Sequence, residues 1–344
     1  MIITMSMCPT CYKKIPADIV VHDGSAWMHK ECPDHGKFVS MVEKDATIIN
    51  TFYNTGTAGH NKSILVPVTD SCNMACSWCF YPMTGKADKD ARHYDRALTD
   101  MKVQGYGMLL SGGEPTIRPD FFQFSRELAD KGWSIYVMTN MIALADRDFF
   151  SAAMASGYHD TQTGTFKASM SMQHPKNYPT EIFTKKVETM MNLERNGLKA
   201  NCIQFSISSL DELKWIREFY NDTKRLYNHI RIRTMYGNWQ NKGDGNKIWL
   251  SDLYKAFLSE FGDMIPTVAT YPETSNIYSI YMRDKYCGIS LSSAPTVENI
   301  DLMSCSRPTL QYAADGKCYS VPVAQIIGEG IGKGWYNGFR LQGE

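Results

Sequence analysis

The sequence has no excess charge of either sign: its 344 residues carry 36 basic and 36 acidic side chains. That balance argues against the broad positive field used for nucleic-acid binding, so nucleic acid is not an expected partner. It lacks any run of about 18 apolar residues, and no membrane span is expected. The opening stretch MIITMSMCPTC has neither the basic segment nor the apolar core of a secretory signal, which makes the cytoplasm the expected location. No internal repeat or low-complexity tract interrupts the chain. The length suits one large α/β domain with small appendages.

Cysteine, by contrast, is abundant, with ten residues. Disulfides are disfavoured in a reducing compartment, where clustered cysteines more often hold metal. Here they fall into three groups: Cys8, Cys11 and Cys32 near the start, Cys72, Cys76 and Cys79 close together, and Cys287, Cys305 and Cys318 late in the chain. Cys202 stands apart, alternating with apolar residues in a strand pattern, and reads as core.

From Ser63 onward, short apolar runs alternate with amphipathic ones. Strands are predicted at 63–69, 106–110, 133–138, 167–172, 199–205 and 229–234, with helices near 88–103, 120–131, 146–155, 181–196 and 210–220. That alternation predicts βαβ units and a parallel sheet, here an open or partial (β/α)6 barrel. The Gly- and Asn-rich stretch 237–247 ends it. A helix near 251–260 and a hairpin over 310–322, turning at Asp315-Gly316, follow. The expected domains are 1–58, 59–240 and 241–344.

Cys72-Asn-Met-Ala-Cys76-Ser-Trp-Cys79 directly follows the first barrel strand. Three thiolates so close can each bind a different iron of one cubane, and no fourth cysteine lies nearby to close it. Structural zinc usually draws on two separated ligand pairs, and ferredoxin runs use other spacings. The Cys-x3-Cys-x2-Cys motif resembles the signature of the radical S-adenosylmethionine (radical SAM) superfamily. The resemblance implies a [4Fe–4S] cluster whose open iron chelates SAM, with Trp78 near the adenine. In that family one electron breaks the SAM carbon–sulfur bond, giving methionine and a 5′-deoxyadenosyl radical. Ser111-Gly112-Gly113-Glu114-Pro115, at the end of the second strand, matches the family's GGEP element, which holds the SAM amino group. Taken alone, it would be an ordinary strand-to-helix turn with Pro at the first helical position. Glycine there permits close backbone approach to a ligand, and Glu114 can accept bonds from an ammonium.

Further SAM contacts are expected from Asn140, after the third strand, and from Ser169 and Ser171, which share one face of the fourth with Gln173. In the sixth strand Arg231 and Arg233 share a face, either to meet an anion or to be solvated. No copy of the family's fifth-strand glycine motif is evident in 199–209.

Cys8-Pro-Thr-Cys11 and Cys32-Pro-Asp-His35 form a C-x2-C…C-x2-H pattern suited to a closed tetrahedral ion. The wording is similar to a rubredoxin-like module of tetraether lipid synthases and pterin methyltransferases, in which the metal is zinc or iron. Cys287, Cys305 and Cys318 resemble the ligands of twitch and SPASM extensions, which implies an auxiliary [4Fe–4S] cluster in a C-terminal α+β extension. The alternative is three buried free thiols.

The resemblance implies an oxidoreductase or transferase that abstracts hydrogen from a small-molecule C–H bond, with a lipid- or pterin-like substrate. An external electron donor such as flavodoxin or ferredoxin would serve it. A peptide-modifying enzyme is the alternative. A non-catalytic iron–sulfur electron carrier and a zinc-ribbon interaction protein are readings from other classes.

Overall fold

The computed structural model describes residues 1–49, 62–76, 79, 89–234, 248–263, 267–269, 278–293, 309–312 and 318–320. The N-terminal segment is a four-stranded antiparallel sheet, β1 (Ile2–Met7), β2 (Lys14–His22), β3 (Ser25–Cys32) and β4 (Gly36–Glu43), paired in chain order. The metal knuckle expected at this end therefore sits on a complete sheet. Its alternation is real but diluted: Ala17, Ile19, Ala26, Met28 and Val42 point inward, with polar residues such as Lys14 and His29 between them. Those inward residues join the same hydrophobic core as the rest of the protein.

The second sheet holds the remaining strands. In chain order the elements are β5 (Ser63–Thr69), α1 (Ala91–Ala97), α2 (Thr99–Val103), β6 (Gly107–Gly112), α3 (Phe121–Asp130), β7 (Ile135–Thr139), α4 (Arg147–Ala153), β8 (His159–Asp160), β9 (Thr165–Met172), α5 (Thr180–Arg195), β10 (Lys199–Ile207), α6 (Glu212–Thr223), β11 (His229–Thr234), α7 (Leu250–Phe261), β12 (Thr267–Ala269), β13 (Tyr278–Arg283), β14 (Gly288–Ser293), β15 (Thr309–Tyr312) and β16 (Cys318–Ser320). The order across the sheet is β12-β13-β14-β11-β10-β9-β7-β6-β5-β15-β16, with β8 paired to β9.

The six strands β5, β6, β7, β9, β10 and β11 run parallel, as the alternating pattern predicts. Among the described strands of the C-terminal third, β14 adds parallel to β11 on one side of this sheet and β15 adds parallel to β5 on the other. The predicted terminal hairpin is present, with Leu310 opposite Ser320; its turn lies outside the described residues.

Strand alternation divides this sheet into two faces. Val66, Leu110, Val137, Ala168, Met170, Phe205 and Ile232 are buried on the apolar face, where each fully buried side chain stabilises by about 1.5–3 kcal/mol. The other face carries Ser169, Ser171, Gln204, Ser206 and Arg233 along β9, β10 and β11. Lumen and core are thus written into one period-2 pattern.

Two contacts fix the framework near the cysteines. At the end of β6 the Gly113 N–H donates to the Thr69 carbonyl at 2.7 Å, and the Glu114 N–H to the Ser71 carbonyl at 2.8 Å. Gly112 has φ +114°, and a Cβ there would lie 2.3 Å from the Thr69 oxygen; one on Gly113 would lie 2.1 Å from the Ser71 oxygen. The glycines therefore let the backbone approach its own chain, not only a ligand.

The second contact docks the N-terminal sheet. Glu43, only 2% exposed, accepts from Ser251 Oγ at 2.6 Å and from the Leu250 N–H at 3.1 Å, placing a carboxylate at the start of α7. Lys44–Asp252 and Lys255–Asp45 flank it, but exposed pairs of this kind contribute little.

Gly113→Ala should therefore displace the segment leading to Cys72 and sharply lower iron and sulfide bound per chain after anaerobic reconstitution. A full complement in that variant would contradict the close approach. Glu43→Ala leaves two donors at the start of α7 unsatisfied and should lower thermal stability by about 1–3 kcal/mol. An unchanged unfolding midpoint would count against the docking role.

Candidate active site

The loop after β5 and the C-terminal ends of β6 and β7 line an open cavity of about 770 Å³, a volume that includes the solvent at its mouth. Cys72, Cys76 and Cys79 line it, each half-buried. The loop is wound locally: the Cys79 N–H donates to the Cys76 carbonyl at 3.1 Å, and the Met74 N–H points at Cys72 Sγ from 3.4 Å. Burial pushes the Cys76 thiol up to about 11, with the neighbouring Cys79 and Cys72 adding to it; burial also raises Cys72. Thiols whose ionisation burial opposes, as at Cys72 and Cys76, are readily ionised only by a bound cation. A soft, three-sulfur donor set with an adjoining cavity fits a cubane that keeps one iron open. Trp78 lies outside the described residues.

Glu114 is the hub of the site. Its Oε1 accepts from the Thr116 N–H at 3.1 Å, Thr116 Oγ1 at 2.5 Å and Thr139 Oγ1 at 2.8 Å, while Oε2 accepts from the Asn140 N–H at 2.6 Å. Burial raises its pKa and these donors pull it back. Most of its acceptor capacity is spent on joining β6 to β7, which narrows the expected ammonium-binding role to the remaining lone pair of Oε2. Asn140 carries the connection onward, its Nδ2 donating to Asn73 Oδ1 in the cysteine loop at 2.7 Å.

Gly112, Gly113, Glu114, Asn140, Ser169, Ser171 and Arg233 all line the cavity, together with Gln173, Gln204 and Ser206. Arg233 Nε donates to Ser206 Oγ at 3.2 Å. Burial, reinforced by Arg231, lowers the Arg233 pKa to about 10, and the Cys79 thiol opposes that shift. Arg231, expected to share this role, is not among the lining residues; it pairs in register with Gln204 on β10. Gln204 and Ser206 were not anticipated, although their alternation in QFSI matches that of Ser169 and Ser171 on the neighbouring strand.

The N-terminal knuckles meet at one end of their sheet. Ligand atoms of Cys8, Cys11, Cys32 and His35 all lie within 4.8 Å of one another. Cys8 Sγ is 3.7 Å and Cys32 Sγ 3.4 Å from His35 Nδ1, and Cys11 Sγ is 3.9 Å from Cys32 Sγ. Those edges suit a tetrahedron with metal–sulfur bonds of about 2.3 Å. Burial opposes ionisation of Cys8, but the backbone N–H groups of Cys11 and Thr10 outweigh it and bring the thiol down to about 7. Each knuckle closes on a left-handed residue, Tyr12 (φ +61°) and Gly36 (φ +78°).

Two of the three C-terminal cysteines fall among the described residues. Cys287 is buried beside β14, where burial, Asp284 and Cys202 push its thiol up to about 12. Cys318 lies on β16, at the opposite edge of the sheet, and Cys305 is outside the described residues. Among the described residues, only the N-terminal set brings three or more such ligand atoms together within 4.8 Å. Cys202 is buried, in register with Ser169 on the polar face of the sheet. No helix among the described residues is long and apolar enough to cross a membrane.

Residues 66–207 match the profile of the Radical SAM superfamily, and residues 2–44 that of the HMPTM N-terminal zinc ribbon domain. The chain is 27% identical over 190 residues to a 7,8-dihydro-6-hydroxymethylpterin dimethyltransferase of Methanocaldococcus jannaschii, covering 45% of this chain and 37% of that protein. It is 26% identical over 123 residues to a PqqA peptide cyclase of Rhodopseudomonas palustris, covering 35% and 31% respectively. These matches span only about a third of each relative's length. SuiB of Streptococcus suis shares the fold, with a TM-score of 0.51 and 12% identity over 76% of this chain and 60% of that one. The convergence of three thiols, a glycine-stitched strand end and a polar lumen has its explanation in that family: the chain carries a radical SAM domain behind an N-terminal zinc ribbon domain.

Proposed function

We propose that this chain holds a [4Fe–4S] cluster on Cys72, Cys76 and Cys79, cleaves SAM reductively beside it, and acts on a C–H bond of a pterin-like small molecule. The observation that carries this reading is the single cavity in which the three thiols, Gly112-Gly113-Glu114 and the polar faces of β9 and β10 meet. A cluster bound there supplies the electron that splits the SAM carbon–sulfur bond, giving a 5′-deoxyadenosyl radical. The protein's own part is placement. Glu114 Oε2 and the strand-end carbonyls face a ligand ammonium, and Arg233 offers a fixed cation for a carboxylate.

Along the cavity wall, Gln173, Gln204, Ser169, Ser171 and Ser206 offer amides and hydroxyls with few charges. Such a wall pairs with a flat heterocycle that carries adjacent nitrogen and oxygen atoms, and it rejects analogues that leave its buried polar groups unpaired. The HMPTM-type ribbon and the match to a pterin dimethyltransferase point the same way. The matches to PqqA peptide cyclases keep a peptide as the second reading.

With dithionite and SAM, the anaerobically reconstituted chain should form 5′-deoxyadenosine, and Cys76→Ala should reduce that product to background. Persistence of the product in the variant would exclude this cysteine set. Adding 6-hydroxymethyl-7,8-dihydropterin should accelerate SAM consumption several-fold. Absence of both stimulation and binding would remove the pterin reading while leaving SAM cleavage in place.

A further inference from the structure

Helix α5 buries a polar stripe beside the apolar Met190 and Leu193. Lys186, Thr189 and Asn192 are spaced three residues apart and are 0%, 0% and 3% exposed. All three donate to backbone carbonyls. Lys186 Nζ reaches Asn140 O and Ser171 O, each at 2.7 Å; Thr189 Oγ1 reaches Met141 O at 2.8 Å; Asn192 Nδ2 reaches Leu144 O and Ala145 O, each at 3.0 Å. The segment following β7 is therefore gripped at four of its carbonyls.

That grip has a task. Met141 is fully buried with φ +77°, a left-handed conformation that is unfavourable for a residue with a Cβ. The residue before it, Asn140, bonds Glu114 through its backbone and Asn73 through its side chain. Asn73 lies between Cys72 and Cys76, so the grip of α5 reaches the cysteine loop in two hydrogen-bonded steps.

Lys186 differs from its two neighbours in carrying charge. Its ammonium lies 4.8 Å from the centroid of the Tyr178 ring and close enough to Cys76 and Glu114 for their negative charge to favour the protonated amine. Burial brings that amine down to about 7, with those two negative charges opposing the fall. A core position that needed only volume would be filled better by an apolar side chain, since a buried charge persists only with compensating partners.

We infer that Lys186 is a positioning residue that holds the cysteine loop through Asn140 and supplies, from behind the sheet, a positive charge that offsets the thiolates of the cluster. This rests on the cluster assignment above. A wild-type chain that binds no iron–sulfur cluster would sink that assignment first, before any variant is compared.

The test uses the full reconstituted chain. Lys186→Met preserves length and removes the charge and the donors. Its iron content should match wild type. Its reduced fraction at a fixed potential should fall about tenfold, because a nearby cation stabilises the more negative reduced state; that is about 59 mV for a one-electron couple. Its SAM affinity, read from the perturbation of the cluster's electron paramagnetic resonance spectrum, should fall about tenfold. Thr189→Val loosens Met141 without touching charge, and should weaken SAM binding while leaving the potential in place. Lys186→Arg should restore the potential in part. A folded Lys186→Met chain with wild-type potential and SAM affinity overturns the inference. If that variant does not fold, Lys186→Gln keeps donors without charge, and an unmoved potential there overturns it equally.

Discussion

The site depends on one close approach. Where β6 ends, Gly112 and Gly113 bring two backbones nearer than any side chain allows, and two N–H groups bond the carbonyls of Thr69 and Ser71. Cys72 begins immediately after that contact, so the height at which the first thiol emerges is set by glycine, not by cysteine. Glu114, the next residue, spends its carboxylate on Thr139 and Asn140 and ties in a third strand end. Asn140 returns the connection to Asn73. Three strand ends and the cysteine loop form a closed ring of hydrogen bonds in which each member is placed by the next.

Around that ring the protein accepts polar groups where a core would exclude them. Glu114 and Lys186 are buried and Arg233 is half-buried, and each is answered by named partners: four donors, two carbonyls and a serine hydroxyl. The cost of desolvating them is offset by those bonds, and rigid placement is the return, which a site for reactive chemistry requires. The zinc ribbon is integrated with this framework. Its inner face shares the main hydrophobic core, and its last strand ends in the carboxylate that caps α7, which packs on β13 and β14.

Much of this was legible in the sequence because it rests on local pattern. The strands β5 and β11 fall where apolar alternation places them, and the Cys-x3-Cys-x2-Cys and GGEP segments lie at the predicted strand ends. The paired knuckle spacing likewise led directly to four converging ligands. What was not legible depends on contacts distant in sequence. Nothing in Lys186, Thr189 or Asn192 distinguishes a polar stripe facing backbone carbonyls from one facing water. Arg231 and Arg233 are equivalent by alternation, and only the depth of the cavity separates them. Cys287 precedes β14 and Cys318 lies on β16, and the two are carried to different sides of the sheet because β14 joins β11 while β15 joins β5.

The central claim is that the Cys72, Cys76 and Cys79 thiolates hold a cubane with one iron left for SAM. Electron–nuclear double resonance on the reduced protein with SAM labelled with 15N at its amino group tests it most directly. The account predicts a hyperfine coupling from that nitrogen to the cluster, lost in the absence of SAM. A cluster signal with no such coupling, or zinc in place of iron on these cysteines, would contradict it.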